Sequence, residues 1–234
     1  MTPARDAPAE VPDAAADRLR AAFARVSTWV FDLDNTLYPP HATLFPQIEA
    51  RIGDYVERVL GVSPAEAARL RHAYWRDHGT TLAGLMRHHG IDPDPFLEQV
   101  HDIDLASLAP DPRLREAIAA LPGRRIVYTN GTARYARAVC AALGLSGLFE
   151  RFYGVEAAFY TPKPEAAAYQ RIFGADGLDP RRGAMFEDDP RNLKVPHDLG
   201  LETVWIVPDA DPRPTPEHVD HRAEDLARFL ERLV

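Results

Sequence analysis

A single cysteine and a shortage of lysine are the clearest absences in this sequence. Cys140 has no second cysteine in the chain with which to form a disulfide, and only two of the 27 basic residues are lysines. No apolar stretch is long enough to cross a bilayer, and the segment from Met1 to Asp17 lacks the basic start and apolar centre of a signal peptide. We therefore expect a cytoplasmic protein, neither secreted nor membrane-spanning, in which Cys140 is a core thiol rather than a nucleophile.

Composition favours a globular protein with an acidic surface. The chain has 234 residues, of which 46% are hydrophobic, and this is enough for one α/β core and a smaller module. The formal net charge of -8 disfavours binding to nucleic acids or anionic membranes through a general basic surface. Any phosphate must therefore be held locally, by a few residues.

Hydrophobic periodicity predicts alternating helices and strands with one long interruption. Strands are expected near residues 28–33, 125–129, 152–155, 184–187 and 203–207. Helices are expected near residues 16–26, 111–121, 133–143, 165–173, 191–199 and 222–233. The interruption, residues 43–120, is almost wholly helical in pattern, with helix starts at Thr43, Ser63, Thr80 and Pro93. Residues 208–216 are rich in proline and predict a loop.

This order of elements predicts an α/β fold. Strands that alternate with helices pair in parallel through right-handed crossovers. The expected architecture is a Rossmann-like parallel sheet core with an all-helical cap domain inserted after the first strand. We expect a disordered N-terminal tail at 1–17, a core formed by 18–39 and 111–234, and a cap at 40–110.

Two carboxylates at the end of the first predicted strand indicate a site. Alternate side chains of a strand share a face, so Asp32 and Asp34 would point to the same side. At about 4 Å and an effective dielectric of ~20, two like charges repel by roughly 4 kcal/mol, so the pair needs a cation, a shared proton or water. The alternative is that both acids belong to an ordinary turn with Asn35.

Polar residues also follow two other predicted strands. These segments are Thr129-Asn130-Gly131 and Glu187-Asp188-Asp189. Open α/β sheets bind ligands outside the carboxyl ends of their strands, so both segments are expected to converge with the acid pair. That convergence favours a site over a turn.

Lys163 and the 129–131 segment suit an anion. A compact ammonium fits a cluster of carboxylates and phosphate, although a lysine between two prolines is also consistent with a stiff, solvated turn. Amide groups at a helix N-terminus favour an anion, and the 129–131 segment leads into a predicted helix near Thr132. Asn130 or Thr132 can also serve there as an ordinary N-cap.

These segments stand in the order of the four motifs of the haloacid dehalogenase superfamily of phosphohydrolases, which the chain resembles over most of its length. The matching segments are Phe31-Asp32-Leu33-Asp34-Asn35-Thr36, Tyr128-Thr129-Asn130, Lys163 and Glu187-Asp188. Dehalogenases proper lack an acid at the position of Asp34, so the resemblance implies a phosphatase or phosphomutase. The segments Tyr38-Pro39, Thr81 to Leu85 and Val100 to Asp104 resemble the pyrimidine 5′-nucleotidase branch.

The resemblance implies roles for the core residues. Asp32 would be the nucleophile that forms an aspartyl-phosphate, and Asp34 would be the general acid and base. Lys163 would neutralise both Asp32 and the phosphate. The implied ligands of Mg²⁺ are the Asp32 carboxylate, the Asp34 main-chain carbonyl and Asp188. The implied phosphate ligands are Thr129, the amides of Asn130 and Gly131, and Lys163.

The three consecutive acids leave one choice open. The sequence does not settle which of Glu187, Asp188 and Asp189 contacts the metal. We favour Asp188, with Glu187 and Asn192 as neighbouring polar groups or alternative ligands. Asp189 precedes Pro190 and is interpreted as the cap of the next helix.

Several cap residues are close enough to the nucleophile in sequence to reach a leaving group. These are Tyr38, His41, Phe45 and Gln47, although such residues more often pack than bind ligands. His88, His89 and His101 do not have zinc spacings with Cys140 and are interpreted as cap surface or packing.

The expected activity is Mg²⁺-dependent hydrolysis of phosphoric monoesters in nucleotide metabolism, with pyrimidine nucleoside 5′-monophosphates as the expected substrates. The alternatives are a phosphomutase, a phosphatase for sugar or glycolate phosphate, and a catalytically silent binding or regulatory module. The expected partner is a small phosphorylated molecule, and both a monomer and a homodimer remain open.

Overall fold

The computed structural model describes residues 14–42, 44–207 and 211–234. Most of the tail predicted to be disordered therefore lies outside the described residues, as do the expected helix start at Thr43 and the first part of the 208–216 loop. Within the described ranges, no helix combines the length and the apolar character needed to span a membrane.

The core is a six-stranded sheet in which every pairing is parallel. Its strands are β1 (Thr28–Phe31), β2 (Arg124–Tyr128), β3 (Arg151–Tyr153), β4 (Gly183–Glu187), β5 (Glu202–Ile206) and β6 (His221–Ala223). The strand order is β3-β2-β1-β4-β5-β6. The predicted α/β fold class, with its parallel sheet, is confirmed.

The first strand lies at the centre of this sheet. Phe31, its last residue, stands opposite Val127 on β2 and Phe186 on β4. The ladder continues one step further, since the amide of Asp32 donates to the Phe186 carbonyl at 3.0 Å. The carboxyl ends of β1, β2 and β4 therefore lie side by side, and the chain leaves each of them at the same edge.

Helices cover both faces of the sheet. They are α1 (Ala14–Phe23), α6 (Pro112–Ala120), α7 (Ala133–Ala142), α8 (Ala166–Asp176), α9 (Lys194–Leu199) and α10 (Leu226–Glu231). Neighbouring residues of β1 enter different hydrophobic clusters, with Trp29 and Phe31 in one and Val30 in the other. This alternation is the two-residue period of a strand buried on both faces.

The interruption after β1 forms a cap of four helices, α2 (Leu44–Leu60), α3 (Pro64–His78), α4 (Thr81–His89) and α5 (Pro93–Val100). Ser63 and Thr80 cap α3 and α4 by accepting backbone N–H bonds with their hydroxyl oxygens. The cap helices share a hydrophobic cluster that includes Tyr55 and Leu85, and Val155 from the core joins it. The all-helical insertion after the first strand is confirmed.

Two elements differ from the sequence expectation. The sequence predicts a last helix at 222–233, but residues His221–Ala223 form the edge strand β6 and α10 covers only Leu226–Glu231. A three-residue strand is too short to show a hydrophobic period. At the other end, α1 begins at Ala14, so the last four residues of the predicted tail belong to a helix.

Gly84 allows α3 and α4 to pack closely, because a Cβ at this position would lie 2.4 Å from the Cβ of Tyr74. We expect Gly84→Ala to lower the free energy of unfolding by about 1–3 kcal/mol, since the two helices must move apart. Urea unfolding followed by circular dichroism measures the change.

The matched control is Gly174→Ala, which lies within α8 and whose added Cβ meets no atom within 4 Å. It should raise the free energy of unfolding by about 0.5–1 kcal/mol through helix propensity alone. Equal stabilisation by both substitutions would show that the packing of Tyr74 against Gly84 does not exclude a Cβ at that position.

Candidate active site

The carboxyl ends of β1, β2 and β4 enclose a buried ion cluster centred on Lys163. The Lys163 ammonium is 1% exposed and donates to Asp32 Oδ1 and to Glu187 Oε1, both at 2.6 Å. Burial opposes the charged form of Lys163, but the two carboxylates outweigh it and raise the pKa of the ammonium. The stiff, solvated turn considered as an alternative for Lys163 is therefore wrong.

Lys163 is held in place by residues at the end of β2. The side chain of Asn130 forms two hydrogen bonds with the Lys163 backbone, accepting from its N–H at 2.8 Å and donating to its carbonyl at 3.1 Å. The Lys163 ammonium also donates to the Tyr128 carbonyl at 3.1 Å and lies 5.3 Å from the centre of the Tyr128 ring. The side chain of Asn130 thus positions Lys163, and the contact expected between the Asn130 amide and phosphate stays a prediction.

Asp32 directly follows β1 and is 5% exposed. Its Oδ1 contacts Lys163, and its Oδ2 accepts from the Thr36 hydroxyl at 3.3 Å. Burial and the nearby Glu187 charge raise the pKa of the Asp32 carboxyl to about 8, although Lys163 opposes this shift. The site therefore favours either a protonated Asp32 or a cation bound beside its carboxylate.

Glu187, at the end of β4, receives three hydrogen bonds. Its Oε1 accepts from Lys163 and, at 2.7 Å, from the Asn192 amide. Its Oε2 accepts from the Asp189 backbone N–H at 2.9 Å. The charge of Glu187 also helps to raise the pKa of the adjacent Asp188 carboxyl. Through these hydrogen bonds Glu187 holds the side chains of Lys163 and Asn192 in place.

Asp189 has the capping role expected for it. Its Oδ1 accepts from the Arg191 N–H at 3.0 Å, at the start of a short 3-10 turn that begins with Pro190. Its carboxylate also pairs with the Arg191 guanidinium at 2.6 Å.

Asp188 completes a group of carboxylates with the composition of a divalent cation site. Oxygen atoms of Asp32, Glu187 and Asp188 lie within 4.8 Å of one another. Burial, Glu187 and Asp32 raise the pKa of the Asp188 carboxyl well above its ordinary value. A hard cation with a preference for oxygen, such as Mg²⁺, fits this donor set. Both oxygens of Glu187 already accept hydrogen bonds from Lys163, Asn192 and the Asp189 backbone, so Asp32 and Asp188 are the members better placed to hold the ion.

The 129–131 segment reaches the same edge but is internally bonded. Thr129 is 1% exposed, and its Oγ1 accepts from the Gly131 N–H at 2.9 Å. The hydroxyl hydrogen of Thr129 can still be donated to an anion. Thr132 caps α7 by accepting from the Tyr135 N–H at 3.1 Å, which settles which of the two candidate residues is the N-cap.

The second acid of the pair is bound by two tyrosines. Asp34 Oδ1 accepts from the hydroxyl of Tyr38 at 2.5 Å and from the hydroxyl of Tyr135 at 2.8 Å. Burial raises the pKa of the Asp34 carboxyl, and the two hydroxyl groups act in the opposite direction. Sequence analysis missed Tyr135 because nothing relates a residue of α7 to Asp34 until the sheet brings them together.

The cap contacts the core at three points around the site. A Cβ at Gly79, just after α3, would lie 2.8 Å from the Lys163 carbonyl. The Arg191 guanidinium lies 3.7 Å from the ring centre of Trp75 on α3. His101, at the end of α5, stacks on Tyr135 with ring centres 4.4 Å apart.

Among the other cap residues considered as leaving-group contacts, Gln47 has a structural partner. The amide of Gln47 donates to the Asp104 carbonyl at 3.0 Å, and its carbonyl oxygen accepts from the Asp104 N–H. Phe45 is 38% exposed, and the side chain of His41 lies outside the described residues. Cys140 is buried in α7, and burial raises the pKa of its thiol to about 12, as expected for a core cysteine.

A surface depression of about 510 Å³ lies elsewhere in the fold. It is lined by residues that precede β4 and by the end of α9, including Asp179, Pro180 and Leu199. It is separate from the ion cluster, because Pro180 precedes β4 and the cluster follows that strand.

Comparison with known proteins identifies the family. Residues 26–200 match the family model of haloacid dehalogenase-like hydrolases. The chain therefore belongs to this family, and the superfamily predicted from the four motifs is confirmed.

Individual relatives are distant. Phosphate metabolism protein 8 of Saccharomyces cerevisiae is 26% identical over 223 residues, which cover 87% of this chain and 64% of the yeast protein. The chain thus matches less than two thirds of that relative. Enolase-phosphatase E1 of Frankia alni is 28% identical over 236 residues, covering 88% of this chain and 94% of the relative.

The fold is shared with solved structures. The HAD-hydrolase YfnB of Bacillus subtilis, whose structure was determined with bound magnesium, superposes with a TM-score of 0.55 at 16% identity. The match covers 89% of this chain and 99% of that chain. At this identity the similarity concerns the fold.

Asp188→Asn should stabilise the metal-free protein and remove its response to Mg²⁺. With the pKa of Asp188 raised, the folded protein holds a proton that the unfolded chain releases, so the unfolding free energy falls as pH rises above the ordinary carboxyl range. In EDTA, the increase in unfolding free energy caused by Asp188→Asn should therefore be larger at pH 8 than at pH 5. Melting curves at both pH values measure it.

Mg²⁺ at 100 times its dissociation constant should stabilise the unsubstituted protein by about 2.7 kcal/mol. It should have little effect on Asp188→Asn. Asp189→Asn is the matched control, since the Asp189 carboxylate is occupied by Arg191, and it should keep the Mg²⁺ response. An undiminished response in Asp188→Asn would remove Asp188 from the metal site.

Proposed function

We propose that this protein is a Mg²⁺-dependent phosphomonoesterase that works through an aspartyl-phosphate on Asp32. The observation that carries the proposal is the ion cluster itself, in which Lys163 bridges Asp32 and Glu187 while Asp34 and Asp188 lie at the same edge of the sheet. Such a concentration of buried charge stabilises no fold efficiently and is typical of a site.

Asp32 is the proposed nucleophile. One of its oxygens attacks phosphorus, and the bond from phosphorus to the leaving-group oxygen breaks as the acyl phosphate forms. Approach of a carboxylate to a phosphate dianion is opposed by charge, by several kcal/mol per close contact at an effective dielectric of ~20. The Lys163 ammonium, fixed 2.6 Å from Asp32, offsets part of this repulsion throughout the reaction.

Asp34 is the proposed acid and base. It donates a proton to the departing alkoxide and then takes a proton from the water that attacks phosphorus in the acyl phosphate. The cycle returns Asp32 and Asp34 to their starting states and releases an alcohol and inorganic phosphate. Burial raises the pKa of Asp34, which favours the protonated form needed for the first step.

The donor set supports Mg²⁺ as the cofactor. Asp32, Asp188 and the main-chain carbonyl of Asp34 are the proposed ligands, with Glu187 and Asn192 arranging the residues around them. When bound, Mg²⁺ supplies positive charge that offsets the repulsion between the carboxylates and the phosphate. Thr129, the amides of Asn130 and Gly131, and Lys163 are the proposed contacts to the phosphate oxygens, and the Gly131 amide would exchange its hydrogen bond to Thr129 Oγ1 for one to phosphate.

The proposed substrates are nucleoside 5′-monophosphates, particularly those of pyrimidines. The support is the resemblance of three segments to the pyrimidine 5′-nucleotidase branch. In the structure, most of these residues pack: Tyr38 is 2% exposed, and Leu82 and Leu85 belong to the cap cluster. The names of the two relatives, a phosphate metabolism protein and an enolase-phosphatase, support phosphate ester chemistry more broadly.

Asp32→Asn should lower kcat for a generic aryl phosphate by several orders of magnitude, because an amide oxygen cannot form the acyl phosphate. Circular dichroism should show an unchanged fold. Mass spectrometry of rapidly quenched unsubstituted enzyme should find a phosphoryl group on the peptide that contains Asp32. Retained turnover in the variant would reject the assigned nucleophile, and an inactive unsubstituted protein would favour the binding or regulatory module.

A panel of phosphorylated metabolites with Mg²⁺ tests the substrate class. We expect kcat/KM to be highest for pyrimidine nucleoside monophosphates, with free phosphate as the product. A preference for sugar phosphates would move the assignment to a different small-molecule phosphatase. Isomerised sugar phosphate without release of phosphate would identify a phosphomutase.

A further inference from the structure

We propose that Tyr38 and Tyr135 are positioning residues that fix the Asp34 carboxylate for proton transfer to the leaving group, and that the cap takes part in this arrangement through His101. The inference rests on the proposed phosphatase function and deepens it. It concerns the proton-transfer half of the reaction, for which the ion cluster around Lys163 provides no explanation.

Both tyrosine hydroxyls donate to the same oxygen of Asp34. The Tyr38 and Tyr135 hydroxyl oxygens lie 2.5 and 2.8 Å from Oδ1 and 3.4 Å from each other. Two donors at Oδ1 leave no favourable place there for a proton, since it would face the hydrogens of both hydroxyls. The proton that Asp34 transfers therefore belongs on Oδ2. The pair of hydroxyls thus selects which oxygen of the carboxyl acts.

The two tyrosines are fixed by packing. Tyr38 is 2% exposed and Tyr135 is 4% exposed, and both belong to the hydrophobic cluster on one face of the sheet. Tyr135 lies in the first turn of α7, whose start is fixed by the Thr132 cap. Their hydroxyl groups consequently hold one orientation of Asp34 without an entropic cost during the reaction.

The cap supplies the third part of the arrangement. The His101 ring lies almost parallel to the Tyr135 ring, at 10° and 4.4 Å between centres. Gly131 makes room for this contact, because a Cβ there would lie 3.1 Å from Tyr135 Cδ1 and 3.3 Å from His101 Nε2. Burial lowers the pKa of His101 to about 4, so the ring is neutral at pH 7 and packs as an uncharged aromatic group.

The rival explanation is that these rings only fill the core. The two explanations differ in how the loss of a hydroxyl depends on the leaving group. An alkoxide needs a proton from Asp34 to depart, whereas 4-nitrophenolate leaves as a stable anion. A structural role would weaken turnover of both kinds of ester alike.

The test compares kcat/KM for an alkyl phosphate and for 4-nitrophenyl phosphate in Tyr38→Phe and Tyr135→Phe. Because kcat/KM reports only the steps up to formation of the aspartyl-phosphate, later hydrolysis does not obscure the comparison. General acid catalysis contributes about 10²–10⁴-fold, and we expect each variant to lose about tenfold more with the alkyl ester than with the aryl ester. KM should change little.

Two further substitutions complete the experiment. Tyr153→Phe is the matched control, since the Tyr153 hydroxyl donates to the carboxylate of Asp176, which lies at the end of α8. It should leave the ratio between the two esters unchanged. His101→Ala should shift the ratio in the same direction as Tyr135→Phe, and His101→Phe, which retains a stacking ring, should restore it.

Equal losses for the two esters in folded, active variants would overturn the positioning role while leaving the phosphatase assignment intact. If Tyr135→Phe fails to fold, Tyr38→Phe gives the same comparison on its own. An unsubstituted enzyme that hydrolyses neither ester would refute the proposed function, and this inference with it.

Discussion

The contact between one ammonium and two carboxylates in a dry interior determines how the rest of this structure is arranged. Lys163 is the only basic side chain that donates to Asp32 or Glu187 among the described residues, and both bonds are 2.6 Å long. Two like charges about 4 Å apart at an effective dielectric of ~20 repel each other by roughly 4 kcal/mol, and the Lys163 ammonium between the two carboxylates offsets this repulsion. Three neighbours keep this contact in place. They are the Asn130 side chain, which binds the Lys163 backbone, the Tyr128 carbonyl, which accepts from the ammonium, and the Asn192 amide, which donates to Glu187.

One ammonium does not neutralise the whole edge of the sheet. Asp34 and Asp188 lie beside the cluster as well, and burial raises the pKa of both. The fold therefore tolerates an excess of negative charge at one place, which costs stability in the absence of a cation. A divalent cation is attracted by this excess of negative charge. Once bound, it adds the positive charge that attracts a phosphate to the same place.

Sequence patterns predicted most of the fold because long periodic segments and strand-end polar residues are local signals. The edge strand His221–Ala223 was missed because three residues show no period. Glu187 and Asp188 could not be separated by sequence, since only the packing of β4 against Lys163 assigns one acid to the ammonium. Tyr135 was missed for a different reason: its link to Asp34 joins residues 101 positions apart and has no sequence signature.

The glycine at the end of α3, with its φ of 83°, has a consequence for motion. At this glycine the cap packs against the backbone of Lys163. Elsewhere Trp75 stacks on Arg191 and His101 stacks on Tyr135. A rigid rotation of the four helices would break all three supports together. Opening the crevice would thus loosen the surroundings of Lys163 and of Asp34 in a single event, and reseating the helices would rebuild both.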